Sequence, residues 1–323
     1  MKTLAEIQQL IETEIKNLDW KNEPYGLYEP IEYTLSLGGK RIRPALVLMA
    51  VDMFDENIVY AVAPTLALEI FHNFTLLHDD VMDNADVRRG QPTVHKKWNE
   101  NTAILSGDQM LIESYRMLSK IDANYLPMVL ELFTNMATEI CEGQQYDMEF
   151  EQRQDVSIDE YLHMIRLKTG VLLGTSLKIG AIMANASDLN QQQLYSLGIN
   201  LGLAFQLRDD YLDVYGDEAT FGKAIGGDIL CNKKTFLLIN ALQSADEATK
   251  QRLIAWMNED NKPQEKIAAV TAIYNELNID QKCKEAIDFY HTSAMENLNN
   301  ITLSEDRKLE LKQLMQKLMH RND

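Results

Sequence analysis

The 323-residue chain has three cysteines, Cys141, Cys231 and Cys283, far apart and with no Cys-x-x-Cys spacing. That excludes a disulfide framework or a cysteine zinc site and suits a reducing compartment. Positive charge is scarce: 31 Lys and Arg stand against 49 Asp and Glu, for a net charge of −18. Nucleic acid and anionic lipid are therefore not expected partners, because phosphate surfaces need clustered cations with few acids nearby. Long apolar runs are missing too. The stretches at 44–51 and 60–71 are too short to cross a bilayer, and residues 1–16 lack the apolar core of a signal peptide. No integral membrane protein is expected, and the composition reads as soluble and cytoplasmic. Proline is sparse, seven in all, which leaves room for long uninterrupted helices.

What is present is helical periodicity from end to end, with hardly any period-two alternation of Val, Ile and Thr. Long helices are predicted at about 61–86, 125–149 and 191–215. Ser157 with Glu160 has the spacing of a capping box opening a helix that runs through Ile179 or beyond. Gly-Pro punctuation is local, at Gly38-Gly39, Gly90-Gln91-Pro92 and the run 221–227. None of these resembles an interdomain linker, so residues 1–323 read as one all-α domain.

Two acidic clusters share one pattern: Asp79-Asp80-Val81-Met82-Asp83 and Asp209-Asp210-Tyr211-Leu212-Asp213. Each falls late in a predicted helix, and each precedes basic residues, Arg88-Arg89 and Lys223. At 3.6 residues per turn, Asp79 and Asp83 lie about 40° apart on one face, with Asp80 about 100° round from Asp79. Carboxylates so crowded repel one another and call for a compensating cation. Hard oxygen donors suit Mg²⁺, which completes its shell with water and substrate phosphate, whereas an EF-hand spreads its ligands over twelve residues. One such triplet alone is usually a solvated helix face. Here the pattern occurs twice, and the first follows Phe71, Phe74, Leu76 and Leu77, at the mouth of an apolar stretch. Two clusters facing each other would hold a diphosphate bridged by metal ions.

Gly38-Gly39-Lys40-Arg41-Ile42-Arg43-Pro44 puts two glycines before a basic cluster, with Pro44 at a plausible first helical position. Close backbone approach, a helix N-terminus and neighbouring cations make an anion site, although a charged surface cap would look the same. Lys223 and Lys233 flank a second glycine-rich loop with the same ambiguity.

Together these segments resemble the trans-isoprenyl diphosphate synthases, the family of farnesyl and geranylgeranyl diphosphate synthases. The resemblance runs over residues 38–235, and 236–323 carry no readable motif. It implies a helical bundle around a central cavity, a homodimer, and condensation of an allylic diphosphate with isopentenyl diphosphate. It implies that Asp79, Asp80, Asp83, Asp209 and Asp213 hold Mg²⁺, three ions in number, and that Arg88, Lys168, Lys223 and Lys233 contact the allylic diphosphate. Lys40, Arg43, His72 and Arg89 would bind the isopentenyl diphosphate. His72 by itself would pass for an ordinary half-buried histidine, but it stands two turns before Asp79. Thr169, Phe205 and Gln206 match positions lining the reacting carbons. Gly170, Gly174 and Gly180 interrupt a helix at about 1 kcal/mol each, so a kink at Lys168-Thr169-Gly170 is expected, or close helix packing, or both.

Product length depends on a floor below Asp79. The candidates are Phe74, Thr75 and Phe71, five, four and eight residues before it. In the family an aromatic five residues before the motif restricts products to short chains, and Thr75 is smaller than the aromatic of many farnesyl synthases, so the resemblance implies C20 ahead of C15. Three other readings stay open: a terpene cyclase, which lacks a second diphosphate site; a non-catalytic scaffold subunit, which would tend to lose the aspartates; and a divalent-ion buffer.

Overall fold

The computed structural model describes residues 1–217, 225–259 and 261–319. Lys223 lies outside them. Among the described residues the chain is all-α, and its one sheet is a hairpin of two-residue strands, β1 (Val87–Arg88) and β2 (Gln91–Pro92). Arg89 and Gly90 at its tip both have positive φ, 52° and 76°, the requirement of a tight two-residue turn that follows strand twist. No described helix is long and apolar enough to cross a membrane.

The helices that position the site are α1 (Leu4–Lys16), α2 (Tyr25–Ser36), α3 (Ile42–Phe54), α4 (Val62–Met82), α5 (Val94–Lys97), α6 (Glu100–Leu118), α7 (Leu126–Gln152), α8 (Ile158–Ile165), α9 (Val171–Met183) and α10 (Asp188–Tyr215). The expected helices at 61–86, 125–149 and 191–215 are α4, α7 and α10, with ends displaced by a few residues. The Ser157 capping box is present: its side chain accepts from Glu160 N, and Glu160 accepts from Ser157 N at 2.9 Å. One boundary differs. Pro44 is the third residue of α3, not the first, because the helix starts at Ile42 behind a left-handed Arg41.

The described chain falls into two compact units. The first comprises residues 1–133, 175–194 and 302–311. Its α3 is buried from Pro44 to Met53 and apolar there except for Asp52, which accepts from Lys2 N at 2.6 Å, as suits a helix enclosed by others. It packs on α1 and α4, and α6 packs on α2 and α4. Ile7, Ile11 and Ile15, one turn apart, bury the inner face of α1.

Of the described residues, the second unit comprises 134–174, 195–217, 225–259, 261–301 and 312–319. Its core gathers Tyr161 and Ile165 from α8, Leu203, Ala204 and Leu207 from α10, and Leu237, Leu253, Ile273 and Ile287 from the C-terminal helices. The C-terminal helices from Phe236 to Ile287, mute as to chemistry, thus supply much of this unit's hydrophobic core.

Candidate active site

In the first unit the acidic triplet ends α4: Asp79 and Asp80 lie in its last turn and Asp83 is the C-cap, its N–H bonding to Asp79 O at 2.8 Å. Asp80 is buried, and Arg88 Nε donates to both its oxygens at 2.8 Å while Nη2 stands 2.6 Å from Oδ1. Arg88 Nη2 is also 3.9 Å from Asp79. The β-hairpin therefore folds back to lay one arginine across the acids, a bidentate arrangement that fixes both partners.

The next arginine turns the other way. Arg89 Nη1 donates to Gly38 O, and a Cβ on Gly39 would meet the guanidinium carbon at 2.9 Å. Gly38 and Gly39 have φ of 74° and 134°, which glycine alone adopts without strain. The glycine loop and the Arg88-Arg89 hairpin, fifty residues apart in sequence, thus form one cationic surface. His72 lies within its field. Burial first, then Arg43, Arg89, Arg88 and Arg41, hold its pKa well below the usual imidazole range, so its ring is neutral near pH 7. Arg89 is likewise pushed down by burial and by Arg41 and Arg88. Cations so crowded are primed for an anion.

Arg41 holds this loop in place. Its side chain is 2 % exposed, and it pairs with Glu69 at 2.5 Å and Glu12 at 2.6 Å, and donates to Leu35 O at 2.7 Å. Asn73 Nδ2 donates to the same Glu69 oxygen at 2.8 Å, a second donor on that buried carboxylate. Sequence reading passed over Arg41 and Glu69 because a buried ion pair spanning α1, the loop and α4 has no local signature.

Below the triplet, Phe71 is buried and meets Phe74 edge to face at 5.5 Å and Phe133 at 5.2 Å. Thr75 turns its hydroxyl to His72 O at 2.8 Å, leaving its methyl as the only bulk there. Lys40 is exposed, and its carbonyl accepts from Gln8.

In the second unit the expected kink is a π-helical turn, Arg166–Gly170, where Val171 N–H bonds to Arg166 O. Such turns insert one residue into a helix. Close packing holds as well. A Cβ on Gly202 would lie 2.6 Å from Gly170 Cα, and one on Gly198 would lie 2.5 Å from Gly174 Cα. Two glycine pairs, spaced four residues apart on each helix, bring the backbones of the turn and α10 into contact. Gly143 on α7 faces Lys168 N in the same way, at 2.6 Å. One turn further along α7, Asp147 accepts from Lys168 Nζ at 2.6 Å.

Contact between α10 and the turn sets Thr169 Oγ1 3.3 Å from Gln206 Oε1. Gln206 Nε2 in turn donates to Asp210 at 3.1 Å, and the Tyr161 hydroxyl donates to the other oxygen of Asp210. Asp210 is buried, and desolvation raises its pKa to about 7 against the opposing pull of Lys233. Phe205 and Asp209 flank Gln206 and Asp210 on the same helix. Asp213 accepts from Asp228 N at 3.0 Å, and burial and the Asp228 charge push its pKa up. Burial opposes the charge on Lys233, but Asp228, Asp210, Asp147 and Asp213 outweigh it and raise its pKa.

These donors fit Mg²⁺. They are hard carboxylate oxygens, and burial first, then the neighbouring Asp228 charge, disfavours the ionised form of Asp213, a cost that a divalent cation offsets. Among the described residues no three His, Cys, Asp or Glu side chains converge on a ready-made metal site. An ion that takes one or two carboxylates and completes its shell with substrate phosphate does not require one. Asp147, Tyr161 and Asp228 were missed in the sequence, since none belongs to a repeated pattern.

The family model "Polyprenyl synthetase" matches residues 24–276. A short chain isoprenyl diphosphate synthase of Methanocaldococcus jannaschii is 40 % identical over 262 residues, covering 81 % of this chain and 79 % of its own. A crystal structure of a geranylgeranyl pyrophosphate synthase superposes with a TM-score of 0.95 at 42 % identity, covering 100 % of both chains. A Corynebacterium glutamicum geranylgeranyl pyrophosphate synthase, complexed with isoprenyl diphosphate and magnesium, superposes with a TM-score of 0.82 at 27 % identity, covering 98 % of this chain and 96 % of its own.

Proposed function

Given that the chain belongs to the polyprenyl synthetase family, we propose that it is a trans-prenyltransferase joining an allylic diphosphate head to tail with isopentenyl diphosphate, with a C20 main product. The observation that carries this reading is the cationic surface of the Gly38-Gly39 loop, Arg43, Arg89 and neutral His72, in a protein of net charge −18. A terpene cyclase needs no such second anion site.

On this reading Lys40, Arg43, His72 and Arg89 hold the isopentenyl diphosphate. Asp79, Asp80, Asp83, Asp209 and Asp213 hold three Mg²⁺ ions, and Arg88, Lys168, Lys223 and Lys233 contact the allylic diphosphate. When bound, the metal supplies Lewis acidity that draws electrons from the departing diphosphate. The chain's own part is to meet charge where it develops. Arg88, Lys168 and Lys233 neutralise the leaving group. The Gln206 amide oxygen and the Thr169 hydroxyl, fixed against each other, turn dipoles toward the allylic cation, and Phe205 lies beside it. A closed, dry pocket is needed, because water would trap that cation. The isopentenyl double bond attacks, and the released diphosphate takes the proton.

The protein is expected to act in the cytoplasm as a homodimer. The exposed Ile104, Leu105 and Ile112 of α6 are the surface we assign to the second copy, and light scattering in solution tests it. For the activity, purified protein is incubated with farnesyl or geranyl diphosphate and isopentenyl diphosphate. Pyrophosphate and a longer prenyl diphosphate should form with Mg²⁺ and stop with chelator. Consumption of a single C15 or C20 diphosphate without isopentenyl diphosphate would favour the cyclase instead.

A further inference from the structure

His78, the residue before the acidic triplet, is held from two sides. Its Nε2 lies 3.1 Å from Ile104 O on α6, and a carbonyl can only accept, so Nε2 carries the proton. Its ring meets Phe74 edge to face at 4.8 Å. Phe74 thus stands between two rings, His78 on one side and Phe71, at 5.5 Å, on the other. The imidazole reaches this position only because residue 107 on α6 has no side chain. A Cβ there would lie 2.5 Å from His78 Cδ2 and 3.2 Å from Cε1, and closer still to Nε2. Gly107 is buried in mid-helix, where glycine is costly relative to alanine. Its backbone is ordinary, so the missing Cβ is what the position requires. The line continues from Phe71 to Phe133 at 5.2 Å and to Tyr115 at 5.3 Å, so Phe74 has firm backing on its far side.

We propose that Gly107 and His78 are specificity-determining residues for product length, acting through Phe74. Gly107 is the recess that receives the imidazole, and the imidazole fixes where the Phe74 ring ends. The idea rests on the prenyltransferase reading and on Phe74 as part of the floor, and adds what sets the floor's height. An alanine at 107 drives the imidazole into Phe74, which Phe71 cannot yield to accommodate, so Phe74 moves into the space for the growing tail. Removing the imidazole lets Phe74 fall back toward α6 and opens that space. One turn of helix, about 5.4 Å, is comparable to one isoprene unit, so a side-chain displacement is enough to change the product by one C5 step.

The experiment is a mutant cycle read by mass spectrometry of the products. Gly107→Ala should shift the main product down by one C5 unit and His78→Ala up by one. The double variant, having no imidazole to displace, should lose the shortening. Turnover of isopentenyl diphosphate should stay within about threefold of the parent, since neither side chain handles diphosphate. Thermal melts identify any variant that fails to fold, and His78→Ala alone then decides. Unchanged product lengths in both single variants, or shortening by Gly107→Ala that survives in the double variant, overturns the proposal. A parent enzyme that makes no prenyl diphosphate would instead overturn the prenyltransferase reading.

Discussion

Gly202→Ala tests the argument that backbone contact at two glycine pairs assembles the reacting centre. Ordinary carbon contact begins at 3.4 Å, while the new Cβ would sit 2.6 Å from Gly170 Cα and 3.1 Å from its nitrogen. The helices must then part by about 0.8 Å, the difference between 3.4 and 2.6. Thr169 Oγ1 and Gln206 Oε1 are 3.3 Å apart; the same displacement takes them to about 4 Å, beyond hydrogen bonding. Overpacking of this kind costs about 1–3 kcal/mol, and the better helix propensity of alanine offsets up to about 1 kcal/mol. A net loss of about 1–2 kcal/mol is expected. Turnover should suffer more, by about 100-fold, as for other misplacements near 1 Å. The assay is steady-state turnover beside a thermal melt, with Gly26→Ala as control, since nothing lies within 4 Å of that position. Turnover within twofold of the parent would refute the reasoning.

Arg41→Met leaves Glu69 buried without its cation, so stability should drop by about 3–5 kcal/mol in denaturant titration, and KM for isopentenyl diphosphate should rise as the glycine loop loosens. Lys168→Ala should lower turnover by two orders of magnitude or more while circular dichroism stays unchanged; a near-normal rate would remove Lys168 from the site. His72 gives a pH signature. Its folded pKa lies well below 6.5, so below that pH the unfolded chain takes up a proton that the fold refuses. Stability is therefore complete above about pH 6.5 and is lost as pH falls toward the folded value. Melts between pH 7 and 5 should show the loss, His72→Asn should flatten it, and added pyrophosphate should blunt it.

Much of this architecture was legible in the chain because it is locally encoded. The Ser157 box, the long helical periods and the twin aspartate patterns each announce themselves within a few residues. Gly170 and Gly174 announced a break and a close approach, and both are present. What could not be read is what depends on a second, distant segment. Arg41 looks like one more surface cation until Glu12 and Glu69 close on it from two helices. Asp210 looked like a spare member of its triplet, yet the Tyr161 and Gln206 side chains turn it inward. Gly107 carried no signal either, because its reason is a side chain on α4.

The π turn has an evolutionary consequence. It holds one residue more than a regular coil of the same helix would, so loss of a single codon there would leave the long helix smoother and better bonded. It would also rotate every preceding side chain by about 100°, swinging Lys168 away from Asp147. Selection on folding alone would favour that deletion. What the extra residue supplies is thus position rather than bonding, since it sets Lys168 against Asp147.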